Sequence, residues 1–156
     1  MITIFCTPKN FDGIFNTIQK NAIRSWRQIS EQIEIIIFGN SRGSKEISKE
    51  VNGIYYPDVK CSRNGVPILS DLFKIANKIS SFDILLFINS DILLPKNIIE
   101  VITKANRMYS KFLLVGHRWD LEVKELINFN DFIALSRFWE MWGSPSSTMD
   151  GPDPRF

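Results

Sequence analysis

The sequence predicts an α/β fold, a single three-layer domain with a mostly parallel sheet. Short apolar runs alternate with longer segments whose apolar residues recur at helical spacing, in a chain of 156 residues. Turn-forming residues follow most of the apolar runs, and no internal repeat or linker divides the chain. Alternating strands and helices favour parallel strands joined by right-handed crossovers. We expect one domain over residues 1–142 and an irregular tail, rich in Ser, Pro and Gly, over residues 143–156.

Three strands and two helices are expected in the first half of the chain. Residues 2–6 and 34–38 are mostly apolar and predict two buried strands, and residues 54–56 predict a third, shorter one. Between the first two strands a helix is predicted, which Asn10 or Asp12 would cap. A short helix over residues 44–51 follows the second strand. The apolar stripe of the first helix comprises Phe11, Ile14, Phe15, Ile18, Ala22 and Trp26.

The alternation continues in the second half. Pro67 suits the first turn of a helix, and Pro95 opens another. Between them, residues 84–88 predict a central strand buried on both faces, because all five are apolar. Two further strands are expected over residues 112–115 and 132–135. The buried faces of the two helices would be Leu69, Leu72, Phe73, Ala76 and Ile79, and then Ile98, Val101, Ile102, Ala105 and Met108.

Composition is that of an ordinary globular protein, with 44% hydrophobic and 23% charged residues. A net charge of +2 gives no argument for nucleic-acid binding, so we expect none. Cys6 and Cys61 are too few for a disulfide scaffold, which favours reduced thiols and a cytoplasmic location. No signal peptide and no transmembrane segment are expected from the apolar runs. The aromatic C-terminal tail would suit a homo-oligomer.

Polar residues that can bind a ligand follow the predicted strands. The carboxyl ends of parallel strands share one edge of a sheet, and open α/β sheets bind ligands at that edge. A nucleotide with a pyrophosphate suits such a crevice. Neither the G-x-G-x-x-G dinucleotide fingerprint nor a Gly-Lys-Ser/Thr phosphate loop is present, which argues against hydride transfer and P-loop chemistry. The residues after the first three strands are Thr7, Asn10, Asn40 and Asp58.

Asn89-Ser90-Asp91 follows the strand over residues 84–88. In an extended segment Asn89 and Asp91 point to one side and Ser90 to the other. Two oxygen donors on one side suit a hard cation such as Mg²⁺ or Mn²⁺. Asn and Asp also form turns and cap helices, so a purely structural turn is the alternative.

The order of these motifs resembles a GT-A glycosyltransferase of the family-2-like kind. The resemblance spans roughly residues 1–138 and implies a Rossmann-like, nucleotide-diphospho-sugar transferase architecture. In that family a D-x-D motif or a variant ends the central strand and binds the metal and diphosphate of a nucleotide sugar. The motifs are Thr7-Pro8, Gly39-Asn40, Arg63-Asn64-Gly65-Val66-Pro67 and the run that ends in Asn89-Ser90-Asp91.

The resemblance implies a nucleotide-diphosphate sugar as donor, an unidentified acceptor, and Mn²⁺ or Mg²⁺ as cofactor. Asp91 would be the direct metal ligand, and Asn89 would face the metal-bound water or the ribose. Residues 112–120 resemble the strand and loop that follow the motif in a subset of these proteins. The expected nucleotide-sugar-binding residues are Thr7, Asn40, Asp58, Arg63, Asn89, Ser90 and Arg118.

Residues 150–156 match the family's G-G-F-D-x-R-F motif only in part. The acidic pair that follows this motif in the family and supplies the general base has no counterpart in the sequence. Asp120 and Asp131 are candidates for a substitute base, because inverting transfer deprotonates an acceptor hydroxyl. Arg118 would contact a leaving diphosphate, or pair with Asp120. The alternative function is a catalytically incomplete donor-binding or interaction module. A nucleotidyltransferase is a third, less favoured because it needs a Gly-rich basic loop after the first strand. His117, the only histidine, is expected to be structural.

Overall fold

Four parallel strands form one sheet. They are β1 (Thr3–Cys6), β2 (Glu34–Phe38), β3 (Ile54–Tyr56) and β4 (Leu85–Phe87), arranged in the order β3-β2-β1-β4. The computed structural model describes residues 1–118, 120 and 123–129. The strand predicted over residues 132–135 and the tail over residues 143–156 lie outside the described residues. The helices are α1 (Gly13–Ile29), α2 (Ser44–Glu50), α3 (Leu69–Ile79) and α4 (Ile98–Met108).

Helices cover both faces of the sheet, so the predicted α/β arrangement with a parallel sheet is confirmed. Residues of α1, α2 and α4 share one core with one face of β1 and β2, and α3 shares a second core with the opposite face. The strand order explains this split. The chain moves from β1 to β2 to β3 in one direction and then returns past β1 to β4. Right-handed crossovers in opposite directions place their helices on opposite faces.

The central strands β1 and β2 carry the deepest burial. Ile35, Ile36, Ile37 and Phe38 have no exposed surface, and neither do Ile4, Phe5 and Cys6. On the α3 side, Phe5 meets Phe38 and Phe73 edge-to-face, with ring centroids 5.8 and 4.9 Å apart. Burying one such aromatic side chain stabilises the fold by about 2–3 kcal/mol, so these two strands form the most deeply buried part of the sheet.

The predicted apolar stripe of α1 is wrong at Ile14 and Phe15, whereas Phe11 packs against the core. Ile14 is 53% exposed and Phe15 is 38% exposed, and the ring of Phe15 lies under the Lys9 ammonium instead. The predicted side-chain cap is also wrong. Asp12 occupies the N-cap position without a capping hydrogen bond and pairs with Arg42. The helix buries the face that carries Gln19, Ala22, Ile23 and Trp26, because only that part of α1 lies over the sheet.

Two strand predictions also need correction. The run over residues 84–88 is half-buried, not buried on both faces, and among the described residues β4 is an edge strand rather than a central one. Residues 112–115 form no strand. Leu113 is 86% exposed and Val115 is 85% exposed. A strand needs a neighbouring backbone to complete its hydrogen bonds, and the described residues provide none for this segment. Among those same residues, no helix has both the length and the apolar character needed to cross a bilayer.

Candidate functional site

The four strands end at nearly the same level. Cys6 is level with Ile37, Phe38 is level with Tyr56, and Phe5 is level with Phe87. The strand ends therefore differ by about one residue, roughly 3.3 Å. The residues that follow them form a row along the carboxyl edge, in the order Asp58, Asn40, Thr7 and Asn89.

The strand order reverses direction between β1 and β4. The crossovers from β1 run towards β2 and β3, whereas β4 lies on the other side of β1. In open α/β sheets ligands bind outside the carboxyl ends at such a switch point, because the loops on either side diverge and leave a crevice. Here the flanking residues are Thr7 on one side and Asn89-Ser90-Asp91 on the other.

Asn89-Ser90-Asp91 forms a turn whose side chains divide between interior and solvent. The Ile92 amide donates to the Asn89 carbonyl over 3.2 Å and closes the turn. Asn89 and Asp91 are exposed, whereas Ser90 is buried. The backbone is thus a turn, as the structural alternative predicted, and the amide of Asn89 and carboxylate of Asp91 are nevertheless both presented to solvent. The Ser90 hydroxyl faces inward.

A buried glutamine holds this turn. Gln19 of α1 is 1% exposed, and its Oε1 accepts hydrogen bonds from the Ser90 hydroxyl and the Lys9 amide, both over 2.8 Å. Its Nε2 donates to the Lys9 carbonyl over 3.1 Å. One side chain thereby joins the turn after β4 to the loop after β1.

The loops after β1 and β2 are also joined to each other. The Phe11 amide donates to the Arg42 carbonyl over 2.9 Å, and the Arg42 amide donates to Asn10 Oδ1 over 3.0 Å. The Ser41 hydroxyl donates to the Pro8 carbonyl over 2.7 Å. Asn10, predicted to cap a helix, is therefore part of a loop-to-loop contact that keeps this stretch of the edge in place.

Five of the predicted site residues present side chains without structural partners. Their side chains make no hydrogen bond or ion pair with any part of the chain that the structure describes. Four of them are exposed and Thr7 is half-buried. This contrasts with the paired residues of the same loops and leaves these groups available to a ligand. The five are Thr7, Asn40, Asp58, Asn89 and Asp91.

Arg63 lies in the loop between β3 and α3. That loop is closed by an antiparallel bridge between Cys61 and Pro67 and by the Ser62 amide, which donates to the Val66 carbonyl over 2.8 Å. Gly65 has a φ of +75°, which the Asn64-Gly65 turn signal predicted. Arg63 is exposed within this small loop.

Arg118 and Asp120 pair with each other. Arg118 Nε lies 3.4 Å from Asp120 Oδ1, and both side chains are mostly exposed. This is the ion pair that the sequence left open as an alternative for Arg118. His117 Nδ1 lies 3.1 Å from the Arg118 carbonyl. Asp131, the other candidate base, lies outside the described residues.

The donor set at the turn fits a cation that shares its coordination with phosphate and water. Mg²⁺ is typically held by one or two carboxylates and completes its octahedron with waters and substrate phosphates. Asp91 supplies one carboxylate and Asn89 one amide oxygen. Among the described residues, no group of three or more Asp, Glu, His or Cys side chains is arranged to hold a metal ion. This set therefore suits a cation delivered with a diphosphate rather than one bound by protein alone.

The thiol of Cys6, which also lies near this edge, is not reactive. Cys6 ends β1 but is fully buried, and burial raises the pKa of its thiol far above the ordinary value, so it remains protonated. Two clefts of about 260 and 230 Å³ lie at the opposite edge of the sheet, beside Arg27. Arg27 already donates to backbone carbonyls. The candidate site is therefore the set of exposed polar residues at the carboxyl edge and not these clefts.

Sequence reasoning missed Gln19, the residue that links two of the loops. A signal was present, because Gln19, Ala22, Ile23 and Trp26 share a helical face on which a polar residue is unexpected. A buried amide on an apolar face usually has hydrogen-bond partners in another element. No family model, curated protein or solved structure matches this chain.

Proposed function

We propose that this chain binds a nucleotide-diphosphate sugar at the carboxyl edge of its sheet and transfers the sugar to an acceptor, as a glycosyltransferase of GT-A type. The observation that carries the proposal is the turn after β4, where Asn89 and Asp91 are exposed on either side of the buried Ser90. The sequence resemblance suggests the family, and the reversal of strand order beside this turn supports a ligand position there.

The row along the edge offers different chemistry at its two ends. Asp58 and Asn40, beyond β3 and β2, carry acceptors and donors suited to a ribose or a base. Asn89 and Asp91, beyond β4, carry oxygens suited to a hard cation. Three strand intervals separate the ends, about 14 Å at the usual spacing. The nucleoside would lie towards β3 and the diphosphate towards β4.

A divalent cation bound with the donor would neutralise charge on the departing nucleoside diphosphate. Asp91 and Asn89 would hold it, while Thr7 at the end of β1 would contact the ligand between the two halves of the row. Exposed Arg63 would add a charge-assisted hydrogen bond to phosphate oxygens.

The second candidate function is donor binding without turnover. The observation that favours it is the ion pair between Arg118 and Asp120, which engages the candidate base and the candidate diphosphate contact with each other. A module of this kind would bind nucleoside diphosphates with the same metal dependence but release no sugar.

Calorimetric titration with UDP and GDP, with and without Mn²⁺, tests the shared part of both candidates. We expect Mn²⁺-dependent binding that weakens at least tenfold in Asp91→Ala, because the variant removes the only carboxylate of the proposed ligand pair. Asp83→Ala is the matched control, since Asp83 is an exposed carboxylate at the other end of the same strand. It should bind as the wild type does.

Two results would count against the proposal. One is no binding of either nucleotide under any condition, and the other is equal losses in the two variants. If binding is found, incubation with the corresponding sugar nucleotides distinguishes the candidates. Release of nucleoside diphosphate supports transfer, and its absence supports a binding module.

A further inference from the structure

Gln19 is a buried polar residue with partners in two different loops. It lies on α1, 1% exposed, and binds both the amide and the carbonyl of Lys9 as well as the Ser90 hydroxyl. Lys9 and Ser90 belong to the loops on the two sides of the switch point between β1 and β4. The residue therefore joins the two loops that flank the switch point.

A neutral carboxamide meets the demands of this position at every pH. The Lys9 backbone offers one donor and one acceptor, and the Ser90 hydroxyl offers a second donor. A carboxylate would lack the N–H that satisfies the Lys9 carbonyl, and a thioether has no donor and only a weak acceptor for the other two groups. A buried polar group left without a partner costs about 1–3 kcal/mol. The Gln19 side chain thus has one strongly favoured orientation.

The same helix holds the far end of the turn. Trp26 Nε1 donates to the Ile92 carbonyl over 2.9 Å, and Trp26 is completely buried. Helix α1 therefore anchors the segment over residues 90–92 at both ends. With Ser90 drawn inward, its neighbours Asn89 and Asp91 face solvent.

We propose that Gln19 is a positioning residue for the ligand site: through Ser90 it fixes the orientation of Asn89 and Asp91, and through Lys9 it fixes their distance from the loop after β1. The effect on ligand binding rests on the proposed function, whereas the effect on the turn does not. Because one carboxamide joins the loop that carries Thr7 to the turn that carries Asp91, a ligand that contacts both residues would meet them at a fixed separation.

Gln19→Met and Ser90→Ala test the proposal through two readouts. The first is the hydrogen-exchange protection factor of the Ile92 amide, which closes the turn. The second is calorimetric affinity for UDP with Mn²⁺. We expect Gln19→Met to reduce the protection factor at least tenfold and the affinity at least fivefold. Ser90→Ala should act in the same direction with a smaller effect, because it leaves the bonds to Lys9 intact.

Ser25→Ala is the matched control. Ser25 is a buried residue on the same helix, but its hydroxyl donates to the Ala22 carbonyl of α1 itself, over 2.6 Å. Removing this hydroxyl perturbs the interior of α1 without touching either loop. Both readouts should remain at wild-type values.

Gln19→Glu provides a rescue that a purely space-filling role would not predict. A protonated carboxyl carries one donor and one acceptor, as the amide does, and burial favours the protonated form. We expect the Ile92 protection factor of this variant to rise as the pH falls from 8 to 5.5. The protection factor in Gln19→Met should stay low across this range, because a thioether has no proton to gain.

The outcomes separate this proposal from the proposed function. Unchanged Ile92 protection in both Gln19→Met and Ser90→Ala overturns the positioning role. Reduced protection together with wild-type affinity overturns its effect on the ligand. If protection is reduced but the wild type binds neither UDP nor GDP, Gln19 still positions the turn, and the proposed nucleotide site is rejected. If Gln19→Met does not fold, Ser90→Ala decides in the same way.

Discussion

The two edges of the sheet use polar side chains in opposite ways. At the amino edge, Glu34 accepts hydrogen bonds from the Thr3 hydroxyl over 2.7 Å and from the Ser81 amide and hydroxyl, each over 2.9 Å. Arg27 donates to the carbonyls of Val51 and Ile33 over 2.8 and 2.7 Å. These side chains are fully occupied in holding the starts of the strands together.

The carboxyl edge separates its polar residues into two groups. Gln19, Asn10 and Ser41 bind backbone groups and join the loops. The second group, which includes Asn40 and Asp91, is exposed, and its side chains make no hydrogen bond or ion pair with the described residues. A polar residue at a strand end is therefore not in itself evidence of a binding site. The candidates are the polar side chains that have no partner among the described residues and that lie beside loops joined by other polar side chains.

The largest expected effect is at the amino edge, where Arg27→Met should reduce the free energy of unfolding by about 3 kcal/mol. The variant leaves several backbone carbonyls without donors, and each unsatisfied group costs about 1–3 kcal/mol. In the wild type, burial lowers the pKa of Arg27 and Glu31 opposes this shift, and the guanidinium is charged at pH 7. Urea denaturation at pH 7 measures the change.

Arg24→Met is the control for that experiment. Arg24 lies one turn earlier on α1 and pairs with Glu50 at the surface. A surface ion pair contributes about 1 kcal/mol or less. A loss at Arg27 no larger than about 1 kcal/mol would mean that its hydrogen bonds to backbone carbonyls contribute no more than a surface ion pair.

An intermediate effect is expected in the framework of the carboxyl edge. Gly43 has a φ of +91°, and a Cβ there would lie 2.7 Å from the Cβ of Phe11. Gly43→Ala should therefore cost about 2 kcal/mol through backbone strain and steric overlap together. Gly39→Ala is the matched case, since φ is +88° but nothing lies within 4 Å of the new Cβ. It should cost about 1 kcal/mol by urea denaturation, and a larger loss at Gly39 than at Gly43 would contradict the loop contact.

The smallest effects on stability are expected in the polar row itself. Asn40→Ala, Asp58→Ala and Asp91→Ala should each change the free energy of unfolding by no more than about 0.5 kcal/mol, because these side chains have no partners to lose. The same denaturation curves measure this. A loss of 2 kcal/mol or more at any of the three would mean that its side chain stabilises the fold, and would contradict the difference between the two edges of the sheet.

Much of the fold could be predicted from the sequence because its signals are local. The bounds of β2 and β3 match the predicted runs, and α2, α3 and α4 lie where helices are predicted. Pro67 and Pro95 precede α3 and α4 by two and three residues rather than opening them, and Leu69, Val101 and Met108, predicted to be buried, are exposed. Apolar runs favour buried strands, and a helical period favours a helix packed by one face. The parallel arrangement follows from the alternation of the two.

The prediction failed where the outcome depends on a distant partner. Residues 112–115 have the composition of a strand, yet a strand forms only beside another backbone, and the described chain brings none to them. Ile14 and Phe15 fit a helical stripe, but which part of α1 lies over the sheet depends on the crossover between β1 and β2.

For the candidate site, the sequence by itself determined which oxygen-bearing residues follow each strand, because their order along the chain is local information. The extended alternation predicted for residues 89–91 does not apply, since they form a turn, and the pairing of Arg118 with Asp120, two positions away, was one of the predicted alternatives. Only the tertiary structure decided that Ser90 faces Gln19 and that Asn10 and Ser41 are used between loops. Hydrogen-bond partners that are 30 to 70 positions apart in the chain are brought together only by the packing of helices on the sheet.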